Sequence, residues 1–137
     1  MIGPFKEKYA FLSNFFKCCV VYEGVLYGSS EAAYQAAKTL DPQERIKIAS
    51  LRSPGEAKKA GQILNCRPDW EEIKYNVMKD ILRAKFRNTE LRAMLQATGD
   101  EELVEINHWH DYIWGVCDGK GTNMLGKLLM EVRVETV

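Results

Sequence analysis

Glu31 and Lys38 stand seven residues apart in the stretch SSEAAYQAAK, Ser29 to Lys38, with Tyr34 and Gln35 between them. On a helix, seven residues return to nearly the same face about 10.5 Å along the axis. That separation is too long for a direct ion pair, and it leaves room for a small ring, such as a sugar, between a carboxylate and an amine. Four of the ten residues are alanine. Ala33, Ala36, Ala37 and Leu40 form the opposite face, short enough for neighbouring segments to pack closely. Glu31 falls in the first turn, where the helix dipole favours an anion. Taken alone, the stretch is equally consistent with a solvated polar face over an alanine-rich contact.

The segment INHWHDYIWGVCDGKGTNMLGKLLMEVR is the second place where chemistry could reside. Trp109 and Trp114 lie among His108, His110 and Asp111 in a run rich in glycine. Aromatic faces beside a carboxylate suit a planar ligand such as a nucleobase, although at least one of the two tryptophans is expected simply to pack. GKGTN leads into a helix near Asn123, where free backbone N–H groups could meet a phosphate with Lys120 nearby. Cys117 with His108 or His110 offers a cysteine-hydrolase reading, but no orienting motif surrounds the thiol. A zinc site from Cys66, Cys117 and the histidines matches no ligand spacing.

The elements that must position these groups can be read from capping and periodicity. FKCCVVYEGVLYGSS predicts two short strands around a Glu23-Gly24 turn, and Ser30 is the expected N-cap of the helix that follows. DPQERIKIASL predicts a short helix. SPGEAKKAGQIL begins another, with Ser53 and Glu56 at capping-box spacing and Pro54 at the first helical position. DWEEIKYNVMKDILRAKF, capped by Asp69, repeats Trp70, Ile73, Val77, Ile81 and Ala84 at helical spacing. Asn88 or Thr89 caps TELRAMLQATG, which Gly99 ends. ELVEINHWH predicts a short strand, DYIWGVCDGKGTN a loop, and NMLGKLLMEVRVE a closing helix. The expected fold is α+β, predominantly helical, with a small strand element.

The whole chain sets outer bounds. Its 137 residues fit one domain, 1–137, able to bury a core unaided. Lys plus Arg and Asp plus Glu number 19 each, which argues against a broad cationic face for duplex nucleic acid. A basic groove for a single strand remains compatible with that balance. Cys18, Cys19, Cys66 and Cys117 form no C-x-x-C pair, so reduced thiols in a cytoplasmic protein are expected. No leader peptide and no membrane span is expected.

FLSNF (Phe11 to Phe15), SSEAAYQAAK, the Lys85-Phe86-x-Asn88 run, DYIWG (Asp111 to Gly115) and GTNMLGKLLMEVR occur in the order of the YbiA-like, or NADAR, family, which the chain resembles from Phe11 to Arg133. Phe16-Lys17 departs from a proline expected soon after FLSNF. The resemblance implies an N-glycosidase that needs no cofactor or metal and cleaves a bond between ribose C1′ and nitrogen. The implied substrates are nucleotide-like: ADP-ribose on guanine, free or within DNA or RNA, or phosphorylated ribosylamino-pyrimidines of riboflavin synthesis. Catalysis is then expected from Glu31 as acid/base, Lys38 as nucleophile or clamp, and Asp111 as ribose orienter or charge stabiliser. Trp114 is expected to stack on the base and Asn14 to bond the sugar or base edge. Ser30, Tyr34, Gln35, Trp70, Gly115, Lys120 and Asn123 complete the expected substrate contacts. A module that binds such a nucleotide without cleaving it is the non-enzymatic alternative.

Overall fold

A computed structural model describes residues 1–137. The fold is α+β with helices predominating, as expected, and the chain divides into two units. The central unit is Asn14–Lys85, and the terminal unit combines Met1–Ser13 with Phe86–Val137.

In the central unit, β1 (Lys17–Tyr22) and β2 (Val25–Ser29) form an antiparallel hairpin. Its two-residue turn places Glu23 at φ 47° and Gly24 at φ 83°. Positive φ at both central residues matches the right-handed twist of the flanking strands. Val20 pairs with Tyr27 on the buried face, while Val21 and Leu26, also paired, stay exposed. A bulge between Lys17 and Val20 breaks the register near the strand start.

Helix α1 (Ser30–Ala36) follows β2 directly and packs against both strands and against α2 (Pro42–Ala49), α3 (Pro54–Gln62) and α4 (Trp70–Lys85). Alanines at 32, 33, 36 and 37, all buried, permit that crowding. The N-cap of α1 is Ser29, whose hydroxyl accepts the Ala32 N–H, and not Ser30 as the sequence suggested. The helix also ends two residues before Lys38, in a tail of i→i+3 bonds from Lys38 to Gln35 and from Thr39 to Ala36. Leu40, expected on the packed face, lies beyond that tail and is exposed. Asp41 caps α2 through the Gln43 N–H, and Ser53 caps α3 through the Glu56 N–H. Glu56 reaches back to the Arg52 N–H, so the reciprocal half of the capping box falls one residue early. The Asp69 carbonyl accepts the Glu72 and Ile73 N–H groups, while its carboxylate forms a two-bonded pair with Arg67.

In the terminal unit, Glu7–Leu12 forms a 3-10 turn that the sequence did not announce. Helix α5 (Thr89–Ala97) is capped by the Asn88 side chain and closed at Gly99, φ 66°. It packs against α6 (Met124–Glu135). The strand expected over ELVEINHWH is reduced to isolated bridges, Ile2 with Leu103 and Ile106 with Val116. Asn107 bends the chain out of extension there, its Oδ1 accepting the Trp109 and Asp111 N–H groups. No helix is long and apolar enough to cross a membrane.

Candidate functional site

The central unit carries Asn14, Ser30, Glu31, Tyr34, Gln35, Lys38 and Trp70. Every residue of α1 is buried, Glu31 at 8% exposure and Gln35 at 4%, so the row is not a solvated helix face. Asn14 holds the start of that helix twice. Its carbonyl accepts the Glu31 N–H at 3.1 Å, and its side-chain oxygen accepts the Ser30 hydroxyl at 2.9 Å. The Asn14 amide reaches Met78 Sδ at 3.7 Å on α4. Ser30, expected to contact substrate, is wholly buried with its hydroxyl donated to Asn14.

Glu31 is oriented from within its own helix. Gln35 Nε2 donates to Glu31 Oε1 at 3.1 Å. Gln35 is thus the partner of the carboxylate. On its far side Gln35 meets Gly61 of α3, where an added Cβ would lie 1.9 Å from Gln35 Oε1 and 2.8 Å from its Cβ. The glycine is required because the helices touch at this point. Gly61→Ala is expected to destabilise the protein by about 1–3 kcal/mol through overpacking and to lower turnover by releasing Glu31. Thermal melts and steady-state rates on one preparation check both effects.

Lys38 is half-buried, its Nζ lying 6.0 Å from the centroid of the Tyr34 ring. Tyr34 in turn pairs with Trp70 at 5.1 Å, tilted by 56°. The amine therefore rests over an aromatic wall that restricts its range. The Lys38 carbonyl accepts the Arg67 N–H at 2.8 Å, which anchors its backbone. Lys85 escaped the reading of individual residues. It follows Ile81 by one helical turn on the apolar stripe of α4, and that position is the signal that betrays it. Its side chain is fully buried, with Nζ 5.8 Å from the Phe16 ring centroid, and burial pulls its amine down to about 8.

The terminal unit carries Asp111, Trp114, Gly115, Lys120 and Asn123. Asp111 Oδ1 accepts the Ile113 and Trp114 N–H groups at 3.2 and 2.9 Å, forming a tight turn that sets the Trp114 backbone. Trp114 is half-buried and Trp109 is exposed. A phosphate was expected at the start of α6. The N–H groups of Thr122, Asn123, Met124 and Leu125 are taken by the carbonyls of Tyr112, Gly115, Ile113 and Trp114, which leaves none of these four for an anion. Asn123 is buried, its Oδ1 accepting the Glu105 N–H and its Nδ2 donating to the Leu103 carbonyl, so it braces the 103–105 segment. Lys120 is exposed, with its backbone tied to Cys117. Cys117 is buried at 1%, and its thiol lies 3.9 Å from the Asp118 carboxylate with no histidine in that contact, which weighs against a cysteine nucleophile.

Gly115 is a close-approach position: a Cβ there would fall 2.2 Å from the Glu105 carbonyl and 2.8 Å from its Cγ. No motif or spacing in the sequence singles out Glu105 as an ionisable group of interest. Burial first, and the neighbouring Asp111 second, push its carboxyl up to about 7. The folded chain then holds this proton more tightly than the unfolded chain. Stability should fall as pH rises from the ordinary carboxylate value to about 7 and stay level above it, by about 3 kcal/mol in all. Glu105→Gln is expected to melt higher than the parent at pH near 8, and at about the same temperature at pH near 4.5. Calorimetry at the two pH values decides it.

The NADAR domain model matches residues 3–136. The chain is 40% identical over 131 residues to N-glycosidase YbiA of Escherichia coli strain K12, covering 93% of this chain and 81% of that protein. It is 40% identical over 133 residues to a riboflavin biosynthesis protein of Vibrio vulnificus, covering 94% of this chain but only 36% of that protein's length. The NMR structure of E. coli YbiA superposes with a TM-score of 0.86 at 38% identity, over 98% of this chain and 82% of that one. The family match crosses both units, and the likeness to YbiA holds in sequence and in fold: the chain belongs to the NADAR domain family.

Proposed function

We propose that this N-glycosidase removes ADP-ribose from guanine bases, in nucleic acid or in free nucleotides, by cleaving the C1′–N bond. Its class, a hydrolase of N-glycosyl compounds, follows from relatives named N-glycosidase at 40% and 32% identity. Residues 1–137 are proposed to act as one NADAR domain, in keeping with a family match that runs from residue 3 to 136. The observation that carries the catalytic assignment is the buried Glu31–Gln35 pair in α1, followed by Lys38 over Tyr34. A carboxyl group held by an amide and withdrawn from water suits proton transfer to a departing base.

Two routes use these groups. In the first, neutral Lys38 attacks C1′ and the C1′–N bond breaks, the base leaving with a proton from Glu31. Ring opening then gives a Schiff base with a free O4′ hydroxyl, and water hydrolyses the imine to release the sugar. In the second, Glu31 takes a proton from the water that attacks C1′ as the C1′–N bond breaks and passes it to the departing base, and the Lys38 ammonium stabilises the negative charge developing on that base. The roles proposed for Asp111, orienting ribose or stabilising positive charge, and for Trp114, stacking on the base, rest on the DYIWG motif.

The second reading is hydrolysis of phosphorylated ribosylamino-pyrimidines, favoured by the name of the Vibrio riboflavin biosynthesis protein. Purified protein offered both an ADP-ribosylated guanine oligonucleotide and the ribosylamino-pyrimidine phosphate separates the two by rate of base release. Faster release from the oligonucleotide is expected. Faster release from the pyrimidine moves the assignment to the second reading, and saturable binding without release of either base replaces the enzyme by a binding module.

A further inference from the structure

Glu105 has a geometry that the proposed chemistry does not use. Its backbone is clamped on both sides, its N–H by Asn123 Oδ1 at 2.9 Å and its carbonyl by the Val116 N–H at 2.8 Å. Its side chain leaves this clamp across Gly115, where even a methyl group would collide with it. Its Oε2 is buried without a hydrogen-bond partner. An ionised carboxylate in that position would keep this oxygen out of water and without a donor. A neutral acid costs far less. The charged group facing it is Asp111, while Gly115 and Asn123, which also touch it, carry no charge. Asp111 in turn holds the Ile113 and Trp114 amides through a single oxygen. A buried, unpartnered carboxyl group therefore stands beside the carboxylate that organises this turn.

We propose that Glu105 is a positioning residue for the Asp111–Trp114 turn, packed over Gly115 as a neutral acid and becoming a repulsive neighbour of Asp111 when it ionises. Ionisation adds a like charge beside the carboxylate that seats Trp114, so the Ile113 and Trp114 amide bonds loosen. The turn is firm at acidic pH and slackens as pH rises through neutrality. Any consequence for substrate rests on the stacking role proposed for Trp114, whereas the conformational effect does not.

The test is an NMR titration of the intact chain from pH 5 to 9. The backbone amide signals of Ile113 and Trp114 are expected to move with a midpoint near 7, together with the Glu105 carboxyl carbon. In Glu105→Gln, which keeps the shape and removes the proton, both amides should stay at their low-pH positions throughout. On an N-glycosidase substrate the parent should show a rise in KM, at little change in kcat, over the same interval, and Glu105→Gln should not. A Glu105 carboxyl that titrates in the ordinary carboxylate range overturns the proposal. So does an amide transition that survives in Glu105→Gln, which would assign it to another group. Amide shifts that follow Glu105 in a protein releasing no base support the proposal and sink the enzymatic reading alone.

Discussion

Glu31→Gln is expected to reduce base release by about 10²–10⁴-fold, the usual worth of a positioned general acid or base, while the protein keeps its fold. The substitution is nearly isosteric. The introduced amide can still accept from Gln35 Nε2 through its own carbonyl oxygen, so the bond at 3.1 Å survives in altered form. The α1 N-terminus also stays fixed, because Asn14 binds the Glu31 backbone N–H and the Ser30 hydroxyl, not the carboxylate. What disappears is the ability to give or take a proton. Single-turnover rates measured beside far-ultraviolet dichroism check the two halves of the claim. A folded Glu31→Gln variant with near-normal turnover would remove Glu31 from the chemistry.

Lys38→Ala carries the second large effect, and its size distinguishes the two routes. As an electrostatic clamp, Lys38 should be worth about 10²–10³-fold, in the range of a single donor aimed at developing charge. As a nucleophile it also defines a covalent intermediate. Borohydride added during turnover is then expected to leave a protein–sugar adduct that mass spectrometry places on Lys38 and that vanishes in Lys38→Ala. No adduct during active turnover selects direct attack by water. Lys85 is the proper control, because burial draws its amine down to about 8 and thereby makes it chemically competent. Its complete burial should nevertheless keep it from substrate. An adduct that survives in Lys38→Ala and maps to Lys85 would exchange the two lysines.

Local signals served well wherever the physics is local. The hairpin was legible because Glu23-Gly24 is a turn that tolerates two positive φ values. The starts of α3 and α5 were legible because Ser53 and Asn88 each carry a side-chain acceptor within reach of an N–H three residues ahead. Even so, adjacent serines defeated the reading of α1. Ser29 and Ser30 are equivalent as caps in one dimension, and only the Asn14 contact claims Ser30 and leaves Ser29 for the helix.

Periodicity alone placed Glu31, Tyr34 and Gln35 on one row of a helix, and motif order alone identified the family. Neither determined what the row faces. That it is buried, that Gln35 grips Glu31, and that Gly61 must lack a side chain to allow this depend on α3 packing back onto α1. The same holds for Glu105 and for the first turn of α6, whose amides are claimed by carbonyls from Tyr112 to Gly115, outside the helix. Hydrogen-bond partners and desolvation arise between segments distant in sequence, and they set both protonation state and free binding groups. The sequence by itself therefore named the residues with chemical capacity, and tertiary contact decided which of them keep it available.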